Sequence, residues 1–237
     1  MAGAMTRVRI VAIVVTVLTL WTGLDAQMRR RAGRARQPVS DGNERTLTID
    51  GRQRTYLVHD FAGQRGSAPM VIVLHGGGGN AQNAVQMTGF NRVAARDRFI
   101  VVYPNGTRGS DNARERRGGR GVLGGEREFL LTWNAGHCCA SAMAGRVDDV
   151  AFIGAVIDAM VASGRADRSR VYVTGMSNGA MMSHRLGREL STRIAAIAPV
   201  VGAVFGDEPP PQAPVPAFIV VGADDQVVPP GVGPLQL

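Results

Sequence analysis

The sequence contains no lysine; all 27 of its basic side chains are arginine. A phosphate-cradling loop of the Gly-Lys-Ser/Thr kind is therefore excluded, although a glycine cluster, His75-Gly76-Gly77-Gly78-Gly79-Asn80, is present. Cysteine is nearly absent as well. The two that occur are neighbours, Cys138 and Cys139, so no framework of disulfide staples can organise the fold. They can pair with each other, pair outside the chain, or remain as reduced thiols. A zinc site is not expected, because only His137 lies close to them and no second ligand cluster appears. Aromatic residues make up 5% of the chain, yet 45% is apolar and 19% charged, a globular composition that rules out wholesale disorder. The apolar run at 10–21 has 12 residues, well short of the roughly 20 that a membrane-spanning helix needs.

The net charge of +8 is unevenly placed. Seven arginines (Arg7, Arg9, Arg29, Arg30, Arg31, Arg34, Arg36) and one acid, Asp25, fall in the first 37 residues, which leaves 20 basic and 18 acidic side chains for the rest. A body that close to balance gives no case for a nucleic-acid partner. Residues 1–26 read as an export signal, with Arg7 and Arg9 ahead of the apolar run and a cleavage point after Ala26. Leu24 and the five arginines at 29–36 work against cleavage and translocation, so an uncleaved anchor or a mis-assigned start codon is the competing reading. Residues 27–41 then form a basic linker and 42–237 a single domain. No cysteine near the cleavage region could accept a lipid.

Within the domain, strand and helix signals alternate. Residues 45–61 predict a β-hairpin turning at Asp50-Gly51. The apolar runs MVIVL at 70–74, FIVVY at 99–103 and RVYVT at 170–174 predict strands buried on both faces, as do 194–201 and AFIVV at 217–221. Helical patterns fill 81–98, 148–163 and 178–190. Residues 107–146 are Gly- and Arg-rich with little periodicity, which predicts one long loop. The alternation argues for an α/β class built on a mostly parallel sheet with helices on both faces.

Two glycine motifs lie directly after strands. Gly175-Met176-Ser177-Asn178-Gly179 matches G-x-S-x-G between a strand and a helix, the setting in which a serine is held exposed on a turn too tight for neighbouring side chains. Ser177 is the candidate nucleophile there, with a helix N-terminus beneath it to favour developing negative charge. The glycine cluster after 70–74 can supply backbone N–H donors to an oxyanion. Gly76 or Gly77 is the candidate for one donor and the backbone of Asn178 for the other. His75 reads as a structural hydrogen-bonding residue beside that loop. Asp224 and Asp225, just past AFIVV, are candidates to orient an imidazole.

Together these segments resemble the α/β-hydrolase family of secreted polyhydroxybutyrate depolymerases and related feruloyl and acetylxylan esterases. The likeness is carried by HGGGGN at 75–80, TWNAGHCC at 132–139, RVDDVAFIGAVID at 146–158, RVYVTGMSNGAMM at 170–182, AAIAPVVG at 195–202 and GADDQVVP at 222–229. It implies an α/β-hydrolase fold with Ser177 as nucleophile and Asp225, ahead of Gln226-Val227-Val228-Pro229, as the triad acid. It also implies an exported hydrolase that needs no metal or organic cofactor. Its substrate would be an ester-bearing polymer, a polyester or acylated polysaccharide, or a small ester; no stable membrane insertion is implied. Trp133 and the Cys138-Cys139 pair look like family features without an assigned role. One element of the pattern is missing. The family places its histidine base after the acid and one further strand, whereas His59, His75, His137 and His184 all precede Asp225. The resemblance thus implies a domain lacking its last strand, helix and base, and its rival is a non-catalytic product that binds a polymer without cleaving it.

Overall fold

The computed structural model describes residues 43–63, 66–108, 131–204 and 209–226. The chain divides into two units, Met1–Asp41 and Gly42–Leu237, and every described residue belongs to the second. The expected export signal and basic linker, most of the Arg-rich loop and the Val-Val-Pro stretch after Gln226 lie outside the described residues.

The hairpin forms as its sequence predicts. Strands β1 (Asn43–Ile49) and β2 (Arg52–Asp60) pair antiparallel around a two-residue turn in which Asp50 (φ 48°) and Gly51 (φ 75°) are both left-handed. That conformation matches the natural twist of the flanking strands. The buried runs become β3 (Ala68–Leu74), β4 (Ile100–Pro104), β5 (Ala166–Met176) and β6 (Ala196–Val200). The sheet order is β1-β2-β4-β3-β5-β6, antiparallel at the β1-β2 and β2-β4 pairs and parallel from β4 to β6. Residues 217–220 extend this parallel part beside β6 through two bridges, Ile197 to Ala217 and Val200 to Val220, rather than as a full strand.

The helical pattern at 81–98 is divided, not continuous. Helix α1 (Ala81–Thr88) is capped by the Asn80 side chain, which accepts from the Asn83 amide; Gly89 then takes a left-handed φ of 67° before α2 (Phe90–Asp97). Glycine makes that reversal without steric cost, so the period continues while the axis does not. The expected long loop is also interrupted. Thr107 and Thr132 pair across its base, exchanging hydrogen bonds of 3.0 Å in both directions, and a short helix α3 (Ala140–Ala144) follows. Helix α4 (Asp149–Ala162) is capped by Asp148, and α5 (Asn178–Glu189) starts directly behind Ser177.

Strand alternation sorts the central side chains between two cores. Met70, Ile72 and Leu74 of β3, with Ile100 and Val102 of β4, pack toward Phe152, Ile153, Val156, Met182 and Leu186. Val73, Val101 and Tyr103 pack on the opposite face with Ala81, Ala84, Val85 and Ala94. Farther along that second face the sheet opens into an apolar trough of about 410 Å³ bordered by Phe90, Tyr172, Ala196, Ala198 and Phe218. Among the described residues no helix is long and apolar enough to cross a membrane, and no three or more metal-ligating side chains gather.

Candidate active site

The strand-turn-helix motif places Ser177 at φ 54° and ψ −120°, a region that non-glycine residues occupy only when the surroundings impose it. The surroundings here are backbone. A Cβ on Gly175 would lie 2.5 Å from the Gly179 carbonyl carbon and oxygen, and one on Gly179 would lie 2.5 Å from the Leu74 oxygen and 2.6 Å from the His75 oxygen. Gly175 is therefore required by contact with Gly179 inside the motif, and Gly179 by contact with the end of β3. The Ser177 N–H donates to the Val200 carbonyl at 3.0 Å, and the Ser177 carbonyl accepts from Ala180 and Met181 to open α5. The hydroxyl is thus held at the positive end of a helix of 12 residues.

The glycine loop lies against this turn. A Cβ on Gly76 would sit 3.4 Å from the Met176 carbonyl oxygen and 3.8 Å from Ser177 Cβ, and one on Gly77 would sit 3.6 Å from Asn178 Cβ. Ser177, Asn178, Gly76 and Gly77 are therefore neighbours, although the two segments are about a hundred residues apart in sequence. Beside them an apolar cavity of about 520 Å³ is lined by Met87, Phe90, Met176 and Val200 together with the loop.

Asparagine at position 178 has a second task. Its Oδ1 accepts from the Trp133 N–H at 2.8 Å and its Nδ2 donates to the Trp133 carbonyl at 3.0 Å. The Trp133 indole N–H in turn donates to the His75 carbonyl at 2.9 Å, and the two rings lie 4.9 Å apart, tilted by 38°. Trp133, fully buried, bolts the turn to the glycine loop.

His75 is a structural residue, as its position beside the loop predicts. Its Nδ1 donates to the Gly76 carbonyl at 2.8 Å and its Nε2 accepts from the Gly106 N–H at 2.9 Å, which defines a neutral ring with both nitrogens engaged. Burial pushes its pKa down to about 4 against the pull of the Gly76 hydrogen bond. His184 is buried on α5 with its Nε2 unpartnered among the described residues, and burial, aided by Arg188, pushes it down to about 4. His59 stacks edge-on with Tyr103 at 5.5 Å, and its Nδ1 meets the Asn91 amide at 2.9 Å. Three of the four histidines are thus committed to packing, and His137 is exposed.

Asp225 follows the segment at 217–220, whose Val220 carbonyl accepts from Val201 at 2.7 Å. Parallel pairing brings it to the carboxyl edge of the sheet, the edge that also carries Ser177 and the glycine loop. Asp225 is half-buried while Asp224 is exposed.

Sequence reasoning missed a buried ion pair under the site. Arg54 and Asp149 are 3% and 0% exposed, and Arg54 Nη2 meets Asp149 Oδ1 at 2.6 Å. The signal was present in β2, where Arg54 occupies the inward position of an alternation continued by Tyr56 and Val58. Asp149 stood hidden beside Asp148 because both suit a helix start, yet only Asp148 caps it.

A mostly parallel sheet carrying a serine on a tight strand-to-helix turn, faced by a glycine loop, is the α/β-hydrolase arrangement. Residues 55–228 match the family model for esterase PHB depolymerase, and the chain belongs to that family. It is 29% identical over 203 residues to NocK of Nocardia uniformis subsp. tsuyamanensis, covering 82% of this chain and 52% of that protein. It is 29% identical over 163 residues to the bifunctional acetylxylan esterase/xylanase XynS20E of Neocallimastix patriciarum, covering 68% of this chain and 20% of that one. Poly(3-hydroxyalkanoate) depolymerase C of Paucimonas lemoignei is 26% identical over 147 residues, 62% of this chain and 31% of that protein. The chain thus spans about half the length, or less, of these curated relatives. Among solved structures, native pOPH superposes with a TM-score of 0.51 at 22% identity, covering 71% of this chain and 55% of that one. A thermostable esterase superposes at 0.55 and 18%, covering 81% and 49%. These two likenesses establish the fold.

Proposed function

We propose that this domain is the catalytic scaffold of a serine carboxylic ester hydrolase. In this reading Ser177 attacks the ester carbonyl, the backbone amides of Asn178 and Gly76 or Gly77 hold the oxyanion, and water releases the acyl group. The observation that carries it is the left-handed Ser177 on its helix N-terminus with the glycine loop packed against it. Asp225 is the acid of the reading, supported by its place on the same sheet edge. His59, His75 and His184 are each held by packing or hydrogen bonds among the described residues, so none of the three is the base of this reading.

The substrate class proposed is an ester-bearing polymer, as the names of the acetylxylan esterase and poly(3-hydroxyalkanoate) depolymerase relatives suggest. Export through residues 1–26 and a vicinal disulfide between Cys138 and Cys139, whose sulfurs are in contact, belong to the same reading. Mass spectrometry after alkylation tests the disulfide; two cysteines labelled without reductant would remove it.

The rival reading, a non-catalytic polymer binder, rests on the missing base. Hydrolysis of p-nitrophenyl acetate by the purified chain, compared with Ser177→Ala, separates the two. Turnover that disappears in the variant supports the esterase. Turnover equal in both proteins leaves the binder, as does inactivity that appending a strand and histidine segment does not restore; inactivity that it does restore supports the esterase.

A further inference from the structure

We propose that the buried pair Arg54 and Asp149 is a positioning device that sets the distance between the two oxyanion-donor segments. The proposal rests on the esterase reading of Ser177 and extends it to residues that touch no substrate.

The pair sits where two hydrogen-bond routes meet. On one side, Asp149 Oδ2 accepts from the Asn134 N–H at 2.7 Å. Asn134 directly follows Trp133, whose N–H and carbonyl are gripped by the Asn178 side chain. This route ends on the residue after the serine. On the other side, the same Arg54 Nη2 that binds Asp149 donates to the Asn105 carbonyl at 3.2 Å. The next residue, Gly106, donates its N–H to His75 Nε2, and His75 Nδ1 donates to the Gly76 carbonyl. This route ends on the glycine loop. One guanidinium and one carboxylate thus reach both donors from beneath.

The energetics point the same way. A buried ion pair costs desolvation that its Coulomb attraction roughly offsets, so it is a poor means of filling a core. Arg54 is worse placed than most for stability, because its Nε is buried without a partner among the described residues. Its guanidinium carbon also lies 4.1 Å from the centre of the Phe152 ring, which fixes the plane of the fork. What the pair supplies is direction. Arg54 Nη2 holds the Asn105 carbonyl and Asp149, and Asp149 holds the Asn134 N–H, so the pair keeps two loops in one register; displacement of an oxyanion donor by about 1 Å costs on the order of 100-fold in rate.

The test uses the whole chain with Asp149→Asn, Arg54→Lys and Arg54→Met. The first two keep volume and part of the hydrogen bonding if the third fails to fold. Backbone amide NMR is read at Asn178, Gly76 and Gly77. The proposal expects shifts and faster hydrogen exchange at both ends of the network in each folded variant, whether or not the chain turns over ester. Changes confined to residues touching 54 and 149 would overturn it. Where the parent shows Ser177-dependent hydrolysis, kcat is expected to fall about 10–100-fold with KM within about threefold, measured well below the melting temperature. A lowered melting temperature with unchanged kcat would mark the pair as merely structural and overturn the proposal. A parent with no Ser177-dependent turnover bears on the esterase reading alone, and the NMR comparison still decides the positioning role.

Discussion

The Asn178 side chain holds the Trp133 backbone from both sides, accepting its N–H at 2.8 Å and donating to its carbonyl at 3.0 Å. Both residues are buried, so neither polar group of Trp133 has water as an alternative. Asn178→Ala is expected to cost about 2 kcal/mol of stability, since it leaves the buried Trp133 N–H unpaired while the Trp133 carbonyl keeps the Ala135 and Cys139 amides. Urea denaturation measures this, and a loss below about 1 kcal/mol would mean that the loop simply re-pairs.

The two motif glycines are constrained by contact rather than by flexibility. Gly175→Ala and Gly179→Ala each drive a methyl to 2.5 Å from backbone atoms and are expected to cost about 3 kcal/mol or prevent folding. Gly77→Ala, whose Cβ would meet Asn178 Cβ at 3.6 Å, is the control and is expected to stay within about 1 kcal/mol of the parent. Thermal melts of the three variants check the order; equal losses would contradict the packing argument.

Acid should weaken the fold through its buried imidazoles. His75 and His184 are each pushed from 6.5 to about 4, so the unfolded chain binds those protons first as pH falls. Their contribution to stability is complete above about pH 6.5 and is lost between there and about pH 4, with a slope of up to about 1.4 kcal/mol per pH unit for each. Burial pushes the Asp149 carboxyl upward, against the attraction of Arg54, and this acts in the opposite sense above the usual carboxylate range. Comparison with His184→Gln isolates the histidine share. Denaturation curves from pH 4.5 to 7 should show a shallower slope in that variant, and an unchanged slope would assign the acid loss elsewhere.

Much of the architecture was legible before any coordinates. The hairpin turn at Asp50-Gly51, the doubly buried strands and the glycine-flanked serine are local patterns, each imposed by steric demands on a few consecutive residues. The break at Gly89 was less legible, because the helical period carries across it while the backbone reverses. The long loop concealed its paired base, Thr107 with Thr132, since a single bridge has no periodicity.

By itself, then, the sequence determined the elements, the turn that exposes Ser177, and the loop that faces it, because glycine placement and strand alternation act over neighbouring residues. Only the tertiary structure decided what stands behind them. Arg54, Asn105, Trp133, Asp149 and Asn178 converge from separate segments, and His75 is neutral because burial and the Gly106 amide leave it no room for a second proton. Those relationships depend on distances between residues far apart in the chain and on the loss of water around them, neither of which any local pattern records.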